Sequence, residues 1–112
     1  MEKTIKISES QSVTFKATAS TLHRYRKQFG SDLLTDMVKV TKAFEEGVTS
    51  GDQLETFLHM AFIMAKQADP DIPNDPDEWL DTFEVFPINV VLPEVVTLWK
   101  NSNVAIAEQK NV

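Results

Sequence analysis

The stretch Leu54–Ala68, LETFLHMAFIMAKQA, decides the fold of this chain, because it has helical periodicity and is apolar on almost every side. Met60, Ile63 and Met64 add apolar surface to the flank and back of the helix. A helix that is apolar nearly all round is either central to its domain or lends a face to a partner. The run ends at Lys66, short of the about 20 apolar residues that cross a bilayer, so we expect a soluble central helix. One apolar face is formed by Leu54, Phe57, Leu58, Ala61, Phe62, Ala65 and Ala68.

Length and composition restrict the class of protein. The 112 residues suffice for one domain with its own core. The chain has no cysteine, which excludes a disulfide framework and a thiolate metal site. Its net charge of −6 argues against a protein that wraps nucleic acid. Residues 1–12 lack the apolar core of a signal peptide, so we expect a cytoplasmic location. Together with the net charge, this predicts that neither nucleic acid nor a membrane is a partner.

Residues 3–17 have the pattern of a β-hairpin. Ile5 and Ile7 alternate with polar residues, as do Val13 and Phe15 after a polar linker, and alternation with a period of two predicts strands. Because an isolated hairpin is marginally stable in water, its apolar side should pack on the helices that follow or pair with another chain. Its open edge is a candidate contact surface, and a homo-oligomer is compatible with this pattern.

Helical periodicity accounts for most of the chain beyond the hairpin. Gly30 ends a first short helix, and Ser31 or Asp32 is predicted to cap the next one across a tight corner. Asp52 with Glu55 has the pattern of a capping box at the start of the central helix. The inner face of the second helix is predicted to be Leu33, Leu34, Met37, Val38, Thr41 and Phe44.

Two further helices follow a proline-rich turn. Asp75 before Pro76 predicts the N-cap and first residue of a short helix that extends to Phe83. The last helix is predicted over Ile88–Lys100, where Pro93 either kinks or restarts it.

These patterns predict an α+β fold that is mainly α. An N-terminal β-hairpin at residues 3–17 precedes about five helices between residues 21 and 100, in a single small globular domain of residues 1–100. Residues 101–112 lose the pattern and are predicted to be a flexible C-terminal tail.

The titratable residues form no recognisable catalytic or metal-binding set. His23 and His59 lie on different predicted helices, and neither has a carboxylate three or four residues further on. The acidic segment Asp69–Glu78 fails the pattern of a calcium loop, because Asn74 stands where glycine is needed and Leu80 where a bidentate glutamate belongs. We therefore expect no catalytic residue, no metal, no cofactor and no enzymatic activity.

A basic patch on the first helix supports an alternative function. It consists of His23, Arg24, Arg26 and Lys27, and it precedes a corner and a second helix in an arrangement loosely similar to a helix-turn-helix. The second helix carries more carboxylates than lysines, so phosphates would repel it as much as attract it. A small helical DNA-binding regulator is the alternative reading.

Apolar surface is the feature most indicative of function. The C-terminal third, added to the two-faced central helix, contains more large apolar residues than a domain of this size readily hides, and exposed apolar patches mark interaction sites. The predicted partner-binding residues are Trp79, Phe83, Phe86, Ile88, Leu92, Val95 and Trp99.

Two stretches resemble a known family. The first is FKATAST at residues 15–21, continuing into RYRKQFGSDLLTDM at residues 24–37. The second is WLDTFEVF at residues 79–86, followed by VLPEV at residues 91–95 and then by Leu98, Trp99 and Asn101. In order, spacing and chain length these stretches are similar to the tail assembly chaperones of long-tailed phages and prophages of Gram-positive bacteria, including their RxxFGxDLLxDM helix corner.

The resemblance implies a non-catalytic protein of virion morphogenesis. Such chaperones coat the aggregation-prone tape measure protein and recruit tail tube subunits to it in the cytoplasm of the bacterial host, and they are absent from the mature virion. A longer form of these proteins often arises by ribosomal frameshifting near the end of the short reading frame. The tape measure protein and the tail tube protein are therefore the expected partners.

Overall fold

The computed structural model describes residues 1–47 and 51–110, with side chains described as far as Ser102. Two antiparallel strands, β1 (Glu2–Lys6) and β2 (Ser12–Lys16), come first. Five helices follow in the described part: α1 (Thr21–Phe29), α2 (Leu33–Glu46), α3 (Gly51–Ala68), α4 (Pro76–Leu80) and α5 (Ile88–Lys110). The predicted mainly α architecture, an N-terminal hairpin followed by five helices, is confirmed.

The hairpin is amphipathic, as its alternating sequence predicts. Lys3 pairs with Phe15 and Ile5 pairs with Val13, which places these four residues on one face of the ladder. Phe15 and Ile5 are buried on this face. The other face is polar, and on it the hydroxyls of Thr4 and Thr14 lie 2.8 Å apart.

The central position predicted for the Leu54–Ala68 helix is confirmed by α3. Phe57 and every residue from Met60 to Ala65 are buried, so the middle of the helix is covered on all sides by its own chain. Strand β2 and helices α1, α2 and α4 all contact it. Leu54, at the N-terminal end, is only half-buried. The apolar residues on the flank and back of α3 are therefore mainly buried inside the domain.

The corner between α1 and α2 forms as predicted. Gly30 has φ of 69°, a left-handed conformation that favours glycine, and it ends α1. Asp32 then caps α2, since its side chain accepts a hydrogen bond from the Leu34 amide at 3.0 Å. The Asp36 carboxylate stabilises the corner from within α2, because it accepts hydrogen bonds from Tyr25 at 3.1 Å and from Ser31 at 2.6 Å.

The prediction for the inner face of α2 was half wrong. Leu33 and Met37 are buried as predicted, together with Val40 and Ala43. Leu34, Val38 and Phe44 instead leave 50%, 68% and 40% of their surface exposed. Consecutive helical residues are rotated by about 100°, so the two apolar stripes of α2 cannot both face the core. The stripe that contains Leu33 faces the core.

Two predicted helix boundaries also shift. Helix α3 begins at Gly51, so Asp52 lies within the first turn and not at the N-cap. Asp75 does cap α4, accepting from the Glu78 amide at 3.1 Å with Pro76 in the first turn, but α4 ends at Leu80 and Phe83 lies in the turn after it.

The last helix is longer than predicted. Pro93 lies inside α5, which begins at Ile88 and continues through Lys110, past the predicted limit at Lys100. Side chains from residue 103 onward, and residues 111–112 altogether, lie outside the described residues, so the flexibility predicted for residues 101–112 stays a prediction. In the described part of the chain, no helix combines the length and the apolar character needed to cross a membrane.

Replacing Phe62 tests the central position of α3. Because this side chain is fully buried, Phe62→Ala should lower the free energy of unfolding by about 3 to 5 kcal/mol, measured by urea denaturation. Val38→Ala, at an exposed position of α2, is the control and should change it by about 0.5 kcal/mol or less. An unchanged denaturation midpoint for Phe62→Ala would show that this face is not core.

Replacing Tyr25 tests the corner network through its pH dependence. Burial and the hydrogen bond to Asp36 raise the pKa of the Tyr25 hydroxyl above its ordinary value. The folded state thus resists ionisation of Tyr25. The free energy by which Tyr25 stabilises the fold is therefore complete below a pH of about 10, the pKa of tyrosine in the unfolded chain, and it is lost as pH rises further. At neutral pH, Tyr25→Phe should cost about 1 to 2 kcal/mol.

The decisive measurement is the difference in unfolding free energy between wild type and Tyr25→Phe across alkaline pH. This difference should shrink above about pH 10. Tyr25 is the only tyrosine, so tyrosinate absorbance reports its ionisation directly. A difference that stays constant through this range would contradict the assigned network.

Candidate partner-binding surface

An open apolar groove, here named the α2–α5 groove, is the main candidate for a partner-binding surface among the described residues. Its volume is about 670 Å³. The end of α2, the start of α3 and the start of α5 form its walls. The lining residues are Phe44, Gly47, Leu54, Phe86, Pro87, Ile88, Asn89, Leu92 and Pro93. Those described residues are all uncharged, so the groove is suited to apolar side chains.

An aromatic cluster positions the α5 wall of the groove. The Trp79 ring lies 5.8 Å from the Phe62 ring of α3, which anchors α4 to the central helix. Phe83 and Phe86 then pack edge-on against Trp79, with ring centroids at 5.3 and 5.7 Å. This arrangement directs the chain from α4 to Pro87 and fixes where α5 begins, because edge-to-face contacts favour defined ring orientations.

A second, smaller depression, here named the side groove, lies on the exposed stripe of α2. It has a volume of about 350 Å³, and its lining includes Leu34, Val38 and Thr41 of α2 and Trp99 of α5. The Lys100 ammonium lies 3.1 Å from the Glu45 carboxylate at this border. Because Leu34 and Val38 are among the most exposed apolar residues described, this surface also can contact a partner.

The seven predicted partner-binding residues separate into two groups. Trp79, Leu92, Val95 and Trp99 are buried, so they belong first to the core of this chain. The other three, Phe83, Phe86 and Ile88, are half-buried. The α2–α5 groove brings together Phe86, Ile88 and the exposed edge of Leu92. Trp99 borders the side groove, whereas Trp79 and Phe83 line a separate cavity beside the hairpin.

Sequence reasoning missed the α2 and α3 contributions to this surface. Phe44 and Leu54 line the α2–α5 groove, and Leu34 and Val38 line the side groove, yet all four had been assigned to inner helical faces. One sequence pattern could have predicted the exposed residues of α2, because this helix has two adjacent apolar stripes and only one of them can be buried.

Three exposed glutamates lie close in sequence to lining residues of the α2–α5 groove. Glu46 precedes the lining residue Gly47, Glu55 follows Leu54, and Glu84 lies two residues before Phe86. All three glutamates are exposed. In the described part of the chain, neither Glu46 nor Glu84 takes part in an ion pair, and Glu55 approaches His59 at 3.8 Å. The lining of the groove is therefore uncharged, and the exposed residues that adjoin it in sequence include glutamates.

The basic patch of α1 lies beside the C-terminal half of α3. Arg24 and Lys27, with Lys66 of α3, line a shallow depression of about 340 Å³. The Lys66 ammonium already donates to the carbonyls of Pro70 and Ile72, at 2.8 and 2.5 Å. Arg24 donates from Nε to the Ser20 hydroxyl at 3.1 Å. Lys66 and Arg24 thus already donate hydrogen bonds to neighbouring groups of the chain.

The two histidines lie apart, as the sequence predicts. His23 is exposed on α1. The His59 ring stacks on Phe29 with a centroid distance of 4.1 Å, which ties α3 to α1. Among the described residues no group of three His, Cys, Asp or Glu side chains has the geometry to hold a metal ion.

Comparison of the chain with protein-family models, with curated proteins and with solved structures finds no match.

Replacing Trp99 tests whether it serves the core or a partner. Because only 6% of its surface is exposed, Trp99→Ala should lower the unfolding free energy by about 3 to 5 kcal/mol. Thr97→Ala, at an exposed position of the same helix, should change it by about 0.5 kcal/mol or less. If Trp99→Ala unfolds in urea at the wild-type midpoint, Trp99 is a contact residue and not a core residue.

Proposed function

We propose that this protein is a non-catalytic tail assembly chaperone of a long-tailed phage or prophage. It would bind the tape measure protein and recruit tail tube subunits in the cytoplasm of a Gram-positive host, without entering the mature virion. The observation that carries the proposal is the α2–α5 groove, an apolar surface that the described residues leave uncovered. A protein that keeps a long helical partner in solution needs such a surface.

The exposed apolar residues of α2 support the proposal. Val38, Leu34 and Phe44 project from one helix into solvent, at 68%, 50% and 40% exposure. A single exposed apolar residue is ordinary, but several on one helix beside an apolar groove form a patch, and patches mark interaction sites. The feature that supports the proposed function is thus a hydrophobic surface and not a set of converging titratable groups.

The residues that resemble the chaperone family have clear structural roles at the helix corner. Gly30 takes the left-handed conformation, Asp32 caps α2, and Asp36 accepts from Tyr25 and Ser31. The corner sets the direction of α2 and thereby presents its exposed stripe. A motif that builds the scaffold of the proposed contact surface supports the family assignment better than a motif of unrelated surface residues.

The basic patch on α1 keeps a second candidate function open, a small DNA-binding regulator. Arg24 and Lys27 lie together at the border of one depression. The helix that follows the corner exposes Leu34 and Val38, however, and a recognition helix needs polar and basic side chains to read base edges. Binding to duplex DNA that weakens steeply with salt would favour this candidate over the chaperone.

Co-expression with the cognate tape measure protein tests the proposal. The tape measure protein should move from the insoluble to the soluble fraction and co-purify with this chain, because its amphipathic helices would be covered. A co-expressed unrelated acidic domain of similar size is the control and should leave it insoluble. If its solubility is the same with and without this chain, the chaperone proposal fails.

A further inference from the structure

We propose that the α2–α5 groove docks an amphipathic helix whose apolar stripe is flanked by lysine or arginine residues. This inference deepens the proposed function and rests on it, since it assigns the surface and the chemical class of the bound segment. The occupant is defined by two properties of the groove, its apolar floor and its negative rim.

The shape and lining of the groove favour a helix over a small molecule. Ligand pockets enclose most of a small ligand, whereas this groove is partly open to solvent. Phe44, Leu54 and Ile88 come from three different helices and leave a trough between them. The apolar anchors of an amphipathic helix, spaced three and four residues apart, fill a trough of this kind.

The rim selects basic flanks by charge complementarity. Glu46, Glu55 and Glu84 are exposed and lie within two residues of lining residues. Lys100 of α5 is already paired with Glu45 at 3.1 Å. A helix with acidic flanks would meet like charges here, whereas lysine or arginine would find the exposed carboxylates of Glu46 and Glu84, which form no ion pair among the described residues.

The backbone of α5 adds one hydrogen-bond acceptor to the same surface. Pro93 has no N–H, so the Asn89 carbonyl lacks the donor that it would otherwise receive from four residues further on. Asn89 and Pro93 both line the groove. An ammonium or guanidinium group at the flank of the docked helix can donate to such a carbonyl.

A pair of synthetic helical peptides tests the inference with the full chain. Both have the same length and the same leucine stripe, with lysine flanks in one and glutamate flanks in the other. By fluorescence anisotropy, the lysine peptide should bind, and the glutamate peptide should bind about tenfold more weakly or worse. Binding of the lysine peptide should also weaken as salt is added, because the rim carboxylates are exposed.

Matched variants locate the binding surface. Phe44→Gln should weaken binding of the lysine peptide about tenfold, whereas Val38→Gln, on the same helix but in the side groove, should leave it unchanged. The double variant Glu46→Gln with Glu84→Gln should weaken binding and reduce its salt dependence. Its control is Asp69→Asn with Asp71→Asn, which removes two charges just beyond the C-terminal end of α3, about 20 Å along the helix axis from the lining residue Leu54.

The outcomes separate this inference from the proposed function. Equal binding of the two peptides, binding of neither, or wild-type binding by both groove variants would overturn the inference. So would self-association of the chain that Phe44→Gln abolishes, because the groove would then hold a second copy. If wild type and both groove variants keep the tape measure protein equally soluble, the chaperone proposal stands and only the assignment of this groove fails.

Discussion

The all-round burial of α3 is the constraint on which the rest of this structure depends. The segment from Met60 to Ala65 has no exposed side chain, so elements of the same chain must cover every side of the helix. Burial of large apolar side chains contributes about 1.5 to 3 kcal/mol each, which makes this helix the main source of stability in a small domain. The two-stranded hairpin is marginal by itself, and it gains its stability by packing Phe15 into this core.

Because α3 is covered by its own chain, any spare apolar surface must come from the helices around it. Helix α2 supplies most of it, since it buries the stripe containing Leu33 and Met37 and leaves the next stripe in solvent. The α5 wall depends on a different set of contacts. Trp79 packs against Phe62 and orients Phe86, so the position of the groove follows from the same core that stabilises the fold.

Local signals made most of the fold predictable from sequence. The left-handed Gly30, the cap at Asp32 and the Asp75-Pro76 start of α4 each act within a few residues, and all three are present in the structure. Which of two apolar faces of a helix is buried could not be predicted from local signals. Periodicity alone fits both stripes of α2, and the choice between Leu33 and Leu34 depends on which one the tertiary packing of α3 accepts.

The candidate surface was predictable only in part, for the same reason. The C-terminal aromatic and aliphatic residues were correctly identified as a dense apolar set, and three of them, Phe86, Ile88 and Leu92, border the groove. The sequence alone could not distinguish Trp79 and Val95, which are buried in the core, from neighbouring residues of equal hydropathy. Phe44 and Leu54 come from distant segments, and only the tertiary fold brings them to the same groove.

The charge distribution of the chain opposes contact between two identical grooves. Residues 67–99 contain no lysine or arginine and eight carboxylates, among them Glu84 at the groove, while the whole chain carries a net charge of −6. Two copies that approach groove to groove would bring carboxylates such as Glu46 and Glu84 close together, and like charges at short range oppose contact. The same carboxylates attract a helix with basic flanks. Exposed carboxylates next to an apolar groove therefore disfavour pairing of two identical grooves and favour a partner of opposite charge, which is the balance that the proposed chaperone function requires.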